Sequence, residues 1–263
     1  MSDHAPGTSA IDPSRPLLEI DRVTLQYKTS DSLVTATQSV SFNVHPGDRY
    51  ILLGPSGCGK STLLKAIGGY LQPTSGVIRL KGREVHEPGP DRMMVFQEFD
   101  QLLPWKTVRQ NVEFALHASG RLHGRAAAER AEYYIGKVGL AKFIDSYPHM
   151  LSGGMKQRVS IARGMAMEPD VLLMDEPFAA LDALTRRKMQ DELLRLWDDT
   201  QFTVLFVTHS IEEAIRVGTR ILLLTPHPGQ VRAELNSIDP SQLGTAAQAE
   251  LETRINDMLF AHH

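Results

Sequence analysis

Apolar runs of strand length recur along this chain, and their patterning separates two kinds of sheet. From Leu17 to Tyr27 and from Val34 to Val44, β-branched and aromatic residues alternate in part with polar ones, as in strands at a sheet edge. Tyr50 to Leu53, Met93 to Phe96, Val171 to Met174, Val204 to Val207 and Ile221 to Leu224 are apolar without alternation, which predicts strands of a parallel sheet buried on both faces. Helical spacing lies between them: a helix is predicted from about Lys60 to Tyr70, and Arg187 to Asp199 sets Met189, Leu193, Leu196 and Trp197 on one face. From Glu98 to about Met167 the strand series is interrupted by mostly helical sequence, including the Ala-rich Ala126 to Val138. The pattern predicts an α/β fold: a parallel-sheet core with an N-terminal antiparallel β subdomain and an inserted helical subdomain at about 98–167. Residues 1–16, rich in Pro, Ser, Gly and Asp, read as a disordered tail before a main domain at 17–230. The pattern loosens at Pro226, Pro228 and Gly229, leaving 231–263 as a short tail with one helix around Ala246 to Phe260.

Composition changes this picture mainly by exclusion. Hydrophobic residues make up 42% and charged residues 22%, values of a soluble globular chain able to bury a sizeable core. The net charge of −3 gives no electrostatic case for nucleic-acid binding. A single cysteine, Cys58, excludes an intramolecular disulfide and fits a reducing compartment. No apolar run approaches the roughly 20 residues of a membrane-spanning helix, and no apolar stretch of a signal peptide follows Met1. The expectation is a cytoplasmic chain whose membrane role, if it has one, comes through a partner.

The chemistry begins at the end of the first fully apolar strand. Gly54-Pro55-Ser56-Gly57-Cys58-Gly59-Lys60-Ser61, followed by Thr62, fits the phosphate-binding pattern G-x-x-x-x-G-K-[ST]. Its glycines let backbone N–H groups approach a triphosphate, and the helix that follows points its positive end at the anion. Lys60 is placed to neutralise the β- and γ-phosphates, and the Ser61 hydroxyl to ligate Mg²⁺. Cys58 is expected to contribute its backbone N–H. The fold implied is a P-loop NTPase (RecA-like) core.

A second anion-binding arrangement stands at Leu151-Ser152-Gly153-Gly154-Met155, which opens the helix beginning Lys156-Gln157-Arg158. Ser-Gly-Gly alone would read as a simple helix cap. With a P-loop far upstream and an acidic strand end shortly after, this segment resembles the signature motif of ABC ATPases, with Met155 where Gln is more usual. The resemblance covers roughly Leu17 to Pro226. It implies ATP as nucleotide and a head-to-tail homodimer in which Ser152, Gly153 and Gly154 of one subunit close over nucleotide held by the other.

Further residues acquire roles through that resemblance. Val171 to Met174 ends in Asp175 and Glu176, which match Walker B: Asp175 toward Mg²⁺ and Glu176 as the base that polarises the attacking water. His209, after the strand Thr203 to Val207, resembles the family's switch histidine, with Ser210 where Asp is common. Gln97 resembles the glutamine that joins Mg²⁺ and water to the helical subdomain, and Ala180-Leu181-Asp182 resembles the D-loop of the dimer interface. Tyr27 matches the aromatic on which adenine stacks. Leu102-Leu103-Pro104-Trp105 is similar to the corresponding stretch in nitrate, sulfonate and taurine importers, where it borders the groove for an integral-membrane permease. The function implied is that of an ATPase subunit, peripheral on the inner face of the membrane, powering import of a small anion delivered by a substrate-binding protein. A soluble ABC ATPase of the iron–sulfur assembly type is the alternative that chain length leaves open.

Overall fold

The computed structural model describes residues 15–28, 32–96, 101–179 and 181–260. Its centre is a six-stranded sheet in the order β10-β9-β3-β8-β7-β6. Five strands run parallel: β3 (Arg49–Leu53), β6 (Arg92–Val95), β7 (Val171–Asp175), β8 (Val204–Thr208) and β9 (Arg220–Leu224). Every residue of β3, β7 and β8 is buried, which is why these runs lack alternation. Successive residues nonetheless serve opposite faces. Ile51, Leu53, Leu172, Met174, Val204, Phe206, Ile221 and Leu223 enter one core, whereas Tyr50, Leu52, Val171, Leu173, Leu205, Val207, Leu222 and Leu224 enter the other.

The second core is closed by an antiparallel sheet in the order β2-β1-β4-β5, together with helix α1 (Lys60–Ile67). Strand β1 (Leu18–Lys28) pairs with β2 (Leu33–Val44) on one side and β4 (Ser75–Leu80) on the other, and β5 (Arg83–Glu84) continues from β4. Strands β4 and β5 were not anticipated: only Ile78 and Leu80 of β4 are buried, too few to mark a strand by hydrophobicity.

The first core holds the helices. α2 (Val108–Ala118) presents Val108, Val112 and Leu116, α3 (Gly124–Lys137) presents Ala127, Ala131 and Ile135, and α4 (Gly153–Ala166) meets both. The i, i+4 spacing of these residues makes one apolar stripe per helix. α5 (Ala183–Thr200) and α6 (Ile211–Val217) precede β8 and β9 respectively and cover the same face. No helix among the described residues is long and apolar enough to cross a membrane.

The segment expected as a short tail from 231 does more than trail. β10 (Val231–Asn236) pairs antiparallel with β9, and α7 (Ala246–Phe260) buries Leu251, Ile255 and Leu259 in the first core. β10 escaped notice because it is an edge strand carrying Arg232, Glu234 and Asn236, which mask its apolar pattern and guard the edge. Of the tail expected at 1–16, only residues 15 and 16 fall within the described part. Ile255 is fully buried, so Ile255→Ala should lower unfolding free energy by about 2–4 kcal/mol in denaturant titration. A loss under about 0.5 kcal/mol would mean that α7 is not packed in solution.

Candidate active site

Backbone register brings the functional segments together. β3 pairs with β8 so that Leu53 lies beside Thr208, and β7 pairs with β8 so that Asp175 lies beside Val207. Three neighbouring parallel strands therefore end level, and the chain leaves them as the Gly54–Ser61 loop, as Glu176 and as His209. This is the carboxyl edge of the sheet, where open α/β folds bind ligands.

The loop is shaped by close approach. Gly59 begins α1 at φ 93°, and a Cβ there would lie 2.5 Å from the Ala36 carbonyl oxygen, so neither backbone angle nor space admits a side chain. Gly57 also has positive φ, but open space surrounds it. Ser56 and Gly57 are exposed at the loop tip, and no acidic residue occupies the first turn of α1. The helix thus presents free N–H groups and its positive end to an anion. Lys60 is 4% exposed, and its Nζ donates to the carbonyls of Gly54 at 2.7 Å and Pro55 at 2.9 Å. Its third proton is directed at the Cys58 Sγ, 3.8 Å away, a weak acceptor that a phosphate oxygen would outcompete. The N–H of Cys58, expected to face a phosphate, donates within the loop to the Pro55 carbonyl at 3.3 Å. The Cys58 side chain points into the second core, where burial pushes the thiol up from its ordinary pKa.

Ser61 Oγ donates to Asp175 Oδ1 at 2.8 Å, across the boundary between α1 and β7. Burial is the main cause that pushes the Asp175 carboxyl up, and the Ser61 bond opposes it. Glu176 follows at φ 43°, a left-handed conformation that a non-glycine residue holds only under strain. Its N–H donates to the Val207 carbonyl at 3.1 Å, and its Oε2 lies 2.9 Å from Nδ1 of His209. The histidine ring is exposed and the glutamate half-buried, so the pair stands at the mouth of the site. Ser210 caps α6 by accepting from the Glu213 N–H at 3.3 Å, which is the function an Asp would serve at that position.

Tyr27 lies on β1 two residues from Leu25, which pairs with Thr37. The Thr37 methyl is 2.8 Å from a Cβ built on Gly59, so this end of β1 flanks the phosphate loop, and the Tyr27 ring is 49% exposed. Gln97 lies outside the described residues, as does Ala180. Strand β6, which precedes Gln97, ends with Val95 beside Met174 of β7.

Ser152, Gly153 and Gly154 form a separate group. Ser152 is exposed and caps α4 by accepting from the Met155 N–H at 3.3 Å, so methionine in place of the usual glutamine leaves the helix start intact. A Cβ on Gly154 would meet the Thr185 methyl at 3.4 Å and Leu181 at 3.9 Å. Asp182 caps α5 by accepting from the N–H groups of Leu184 and Thr185, and these bonds hold its carboxyl below the usual range. The Ser152–Gly154 and Leu181–Asp182 segments therefore sit together.

Leu102 is buried, but Trp105 is 69% exposed. Asn111, fully buried on α2, fixes this turn: its Oδ1 accepts from the Leu103 N–H at 2.8 Å while Nδ2 donates to the carbonyls of Lys106 and Thr107, each at 3.0 Å. Sequence reasoning passed over Asn111, because a lone asparagine on a helix carries no motif.

The chain matches the ABC transporter family over residues 37–179. It is 50% identical over 207 residues to a nitrate import ATP-binding protein, NrtC, of Synechococcus elongatus, covering 78% of this chain and only 31% of that longer protein. It is likewise 50% identical over 203 residues to a taurine import ATP-binding protein, TauB, of Rhizobium johnstonii, covering 77% of each. Among solved structures, an ATP-binding cassette in a dimeric post-hydrolysis state with ADP and Pi superposes at TM-score 0.73 and 33% identity, covering 84% of this chain and 99% of that one. With the phosphate loop, the acidic strand end and the helix-capping Ser-Gly-Gly all in this fold, the chain belongs to the ABC transporter family and is an ATPase of that family.

Proposed function

We propose that this chain powers an ABC importer for nitrate, a sulfonate such as taurine, or a similar small anion, through a separate integral-membrane permease. The level strand ends of β3, β7 and β8 carry this reading, because they assemble a phosphate cradle, a paired hydroxyl and carboxylate, and a carboxylate–imidazole pair on one edge.

Lys60 and the N–H groups at the start of α1 hold the phosphates. Ser61 and Asp175 suit Mg²⁺, which takes one or two protein oxygens with the rest from phosphate and water. The absence of any cluster of three or more metal-ligating side chains among the described residues agrees with that mode of binding. When bound, the ion neutralises charge on the transferring phosphoryl group. Burial raises the Asp175 carboxyl, and a cation held beside it would favour its charged form. Glu176 is poised to polarise the attacking water, its Oε2 oriented by His209, which then contacts the γ-phosphate. Gln97 adds a link to Mg²⁺ and water, and Tyr27 offers a face for adenine to stack upon.

The exposed Ser152 at the start of α4, with Gly153 and Gly154 grouped beside the Leu181–Asp182 segment, supports a second copy whose Ser-Gly-Gly closes over the nucleotide. A two-fold, head-to-tail homodimer supplies this closure twice, and a similar cassette solved as a dimer with ADP and Pi supports dimerisation. The exposed Trp105 on its Asn111-braced turn is the surface offered to the permease. An extracytoplasmic substrate-binding protein then delivers the cargo, with this chain at the inner face of the membrane. The soluble alternative leaves that exposed tryptophan unexplained.

Two outcomes test this reading. Glu176→Gln should keep ATP binding, lower turnover by at least about 100-fold, and accumulate an ATP-dependent dimer in gel filtration. Near-normal turnover removes Glu176 from the base role, and persistent monomers at saturating ATP remove the closed dimer. Trp105→Ala should weaken permease association by roughly 30-fold or more while leaving ATP affinity within about twofold. Equal loss of both would assign Trp105 to packing within the subdomain.

A further inference from the structure

His209 is exposed, and its ring bonds to Glu176. The turn on which it stands also holds it. Thr208, the last residue of β8, is buried, and its hydroxyl oxygen accepts from the Ser210 N–H at 3.0 Å. The Ser210 hydroxyl accepts from the backbone N–H of Glu213 at 3.3 Å. Glu213 is 6% exposed, and its Oε1 accepts from Nε2 of Gln190 on α5 at 2.9 Å. Gln190 is buried as well. Glu213 thus joins the histidine turn through its N–H and α5 through its buried carboxyl.

We propose that Glu213 is a positioning residue for His209, its backbone N–H held by Ser210 and its buried carboxyl fastening this start of α6 to helix α5. This rests on His209 acting in hydrolysis as proposed above.

A carboxyl is an expensive group to bury for packing alone. Burial pushes it up from its ordinary pKa, opposed by the neighbouring Thr208 hydroxyl, by the Gln190 bond and by the charge of Arg186. A leucine would fill comparable volume without that cost, so the bond to Gln190 is what the carboxyl contributes. That bond holds the start of α6 against α5, and through Ser210 it sets the direction in which the imidazole leaves the strand end.

The same bonds extend the link toward the dimer interface. Gln190 lies on α5, the helix that Asp182 caps. Arg186, one turn before Gln190, donates from Nη2 to the Leu181 carbonyl at 2.9 Å. The D-loop and the switch histidine are therefore attached to one helix, with Glu213 as the attachment on the histidine side. A rotation of α5 when two subunits meet carries the His209 turn with it.

The test uses the full chain with MgATP and two variants. Glu213→Gln replaces the carboxylate by a group of the same size that brings a donor where the Gln190 donor faces it. Gln190→Leu keeps a buried side chain of similar length and removes that donor, so it decides the matter if Glu213→Gln fails to fold. Each should lower kcat by about tenfold with the KM for ATP within about twofold of the parent. In ¹⁵N-imidazole NMR, the His209 signal, identified by its loss in His209→Ala, should move from a hydrogen-bonded position to that of a free, solvated ring. A merely structural role would lower the melting temperature and leave that signal in place, and an unmoved His209 signal overturns the proposal. A moved signal with unchanged kcat instead overturns the hydrolytic role of His209, which separates failure of the one reading from failure of the other.

Discussion

Parallel pairing of β3, β8 and β7 is the constraint on which the active centre rests. Each of these strands contributes its apolar side chains to both cores, so none can slip without exposing a buried row on each face. Their ends are therefore fixed relative to one another to within the tolerance of a hydrogen-bond ladder. That fixity lets Ser61 reach Asp175 across 114 residues of sequence, and lets His209 meet Glu176 across 33. The strained backbone at Glu176 is tolerable because the strand before it is buried and its N–H is bonded to Val207. Strain placed there is consistent with a side chain that must face the site.

The helical subdomain has a different task. Its three helices pack mainly on one another and on the first core, and they carry Ser152 to Gly154 on one side and the Trp105 turn on the other. On the proposed reading, one end of this module faces nucleotide and the other the permease, and the module reports one to the other by moving as a body. Asn111 matters in this view, since its three carbonyl-directed and amide-directed bonds keep the Trp105 turn rigid with α2. Glu213 plays the corresponding part between α5 and the His209 turn.

Much of this was legible in the sequence wherever a single segment carries its own signal. The runs that are apolar on both faces announced the parallel strands within a residue or two, and Gly54 to Ser61 announced the cradle without any long-range information. Signals that depend on the rest of the molecule were invisible. β4 and β10 form because β1 and β9 offer them an edge, and their own residues alternate too weakly to say so. Asn111 and Glu213 look like ordinary helix-surface residues until the fold buries them against particular carbonyls and hydroxyls. The direction of the Cys58 N–H, turned toward Pro55, is a property of loop closure that the motif does not encode.

The account stands or falls on whether ATP hydrolysis here drives a membrane protein. The most direct measurement is purification of this chain from its native membranes in mild detergent, with identification of what accompanies it. The account predicts an integral-membrane permease bound to two copies of the chain, retained until the complex is denatured. Recovery of the chain only in a soluble complex, with no membrane protein, would contradict the importer reading while leaving the roles proposed for Lys60, Asp175, Glu176 and His209 in ATP hydrolysis untouched.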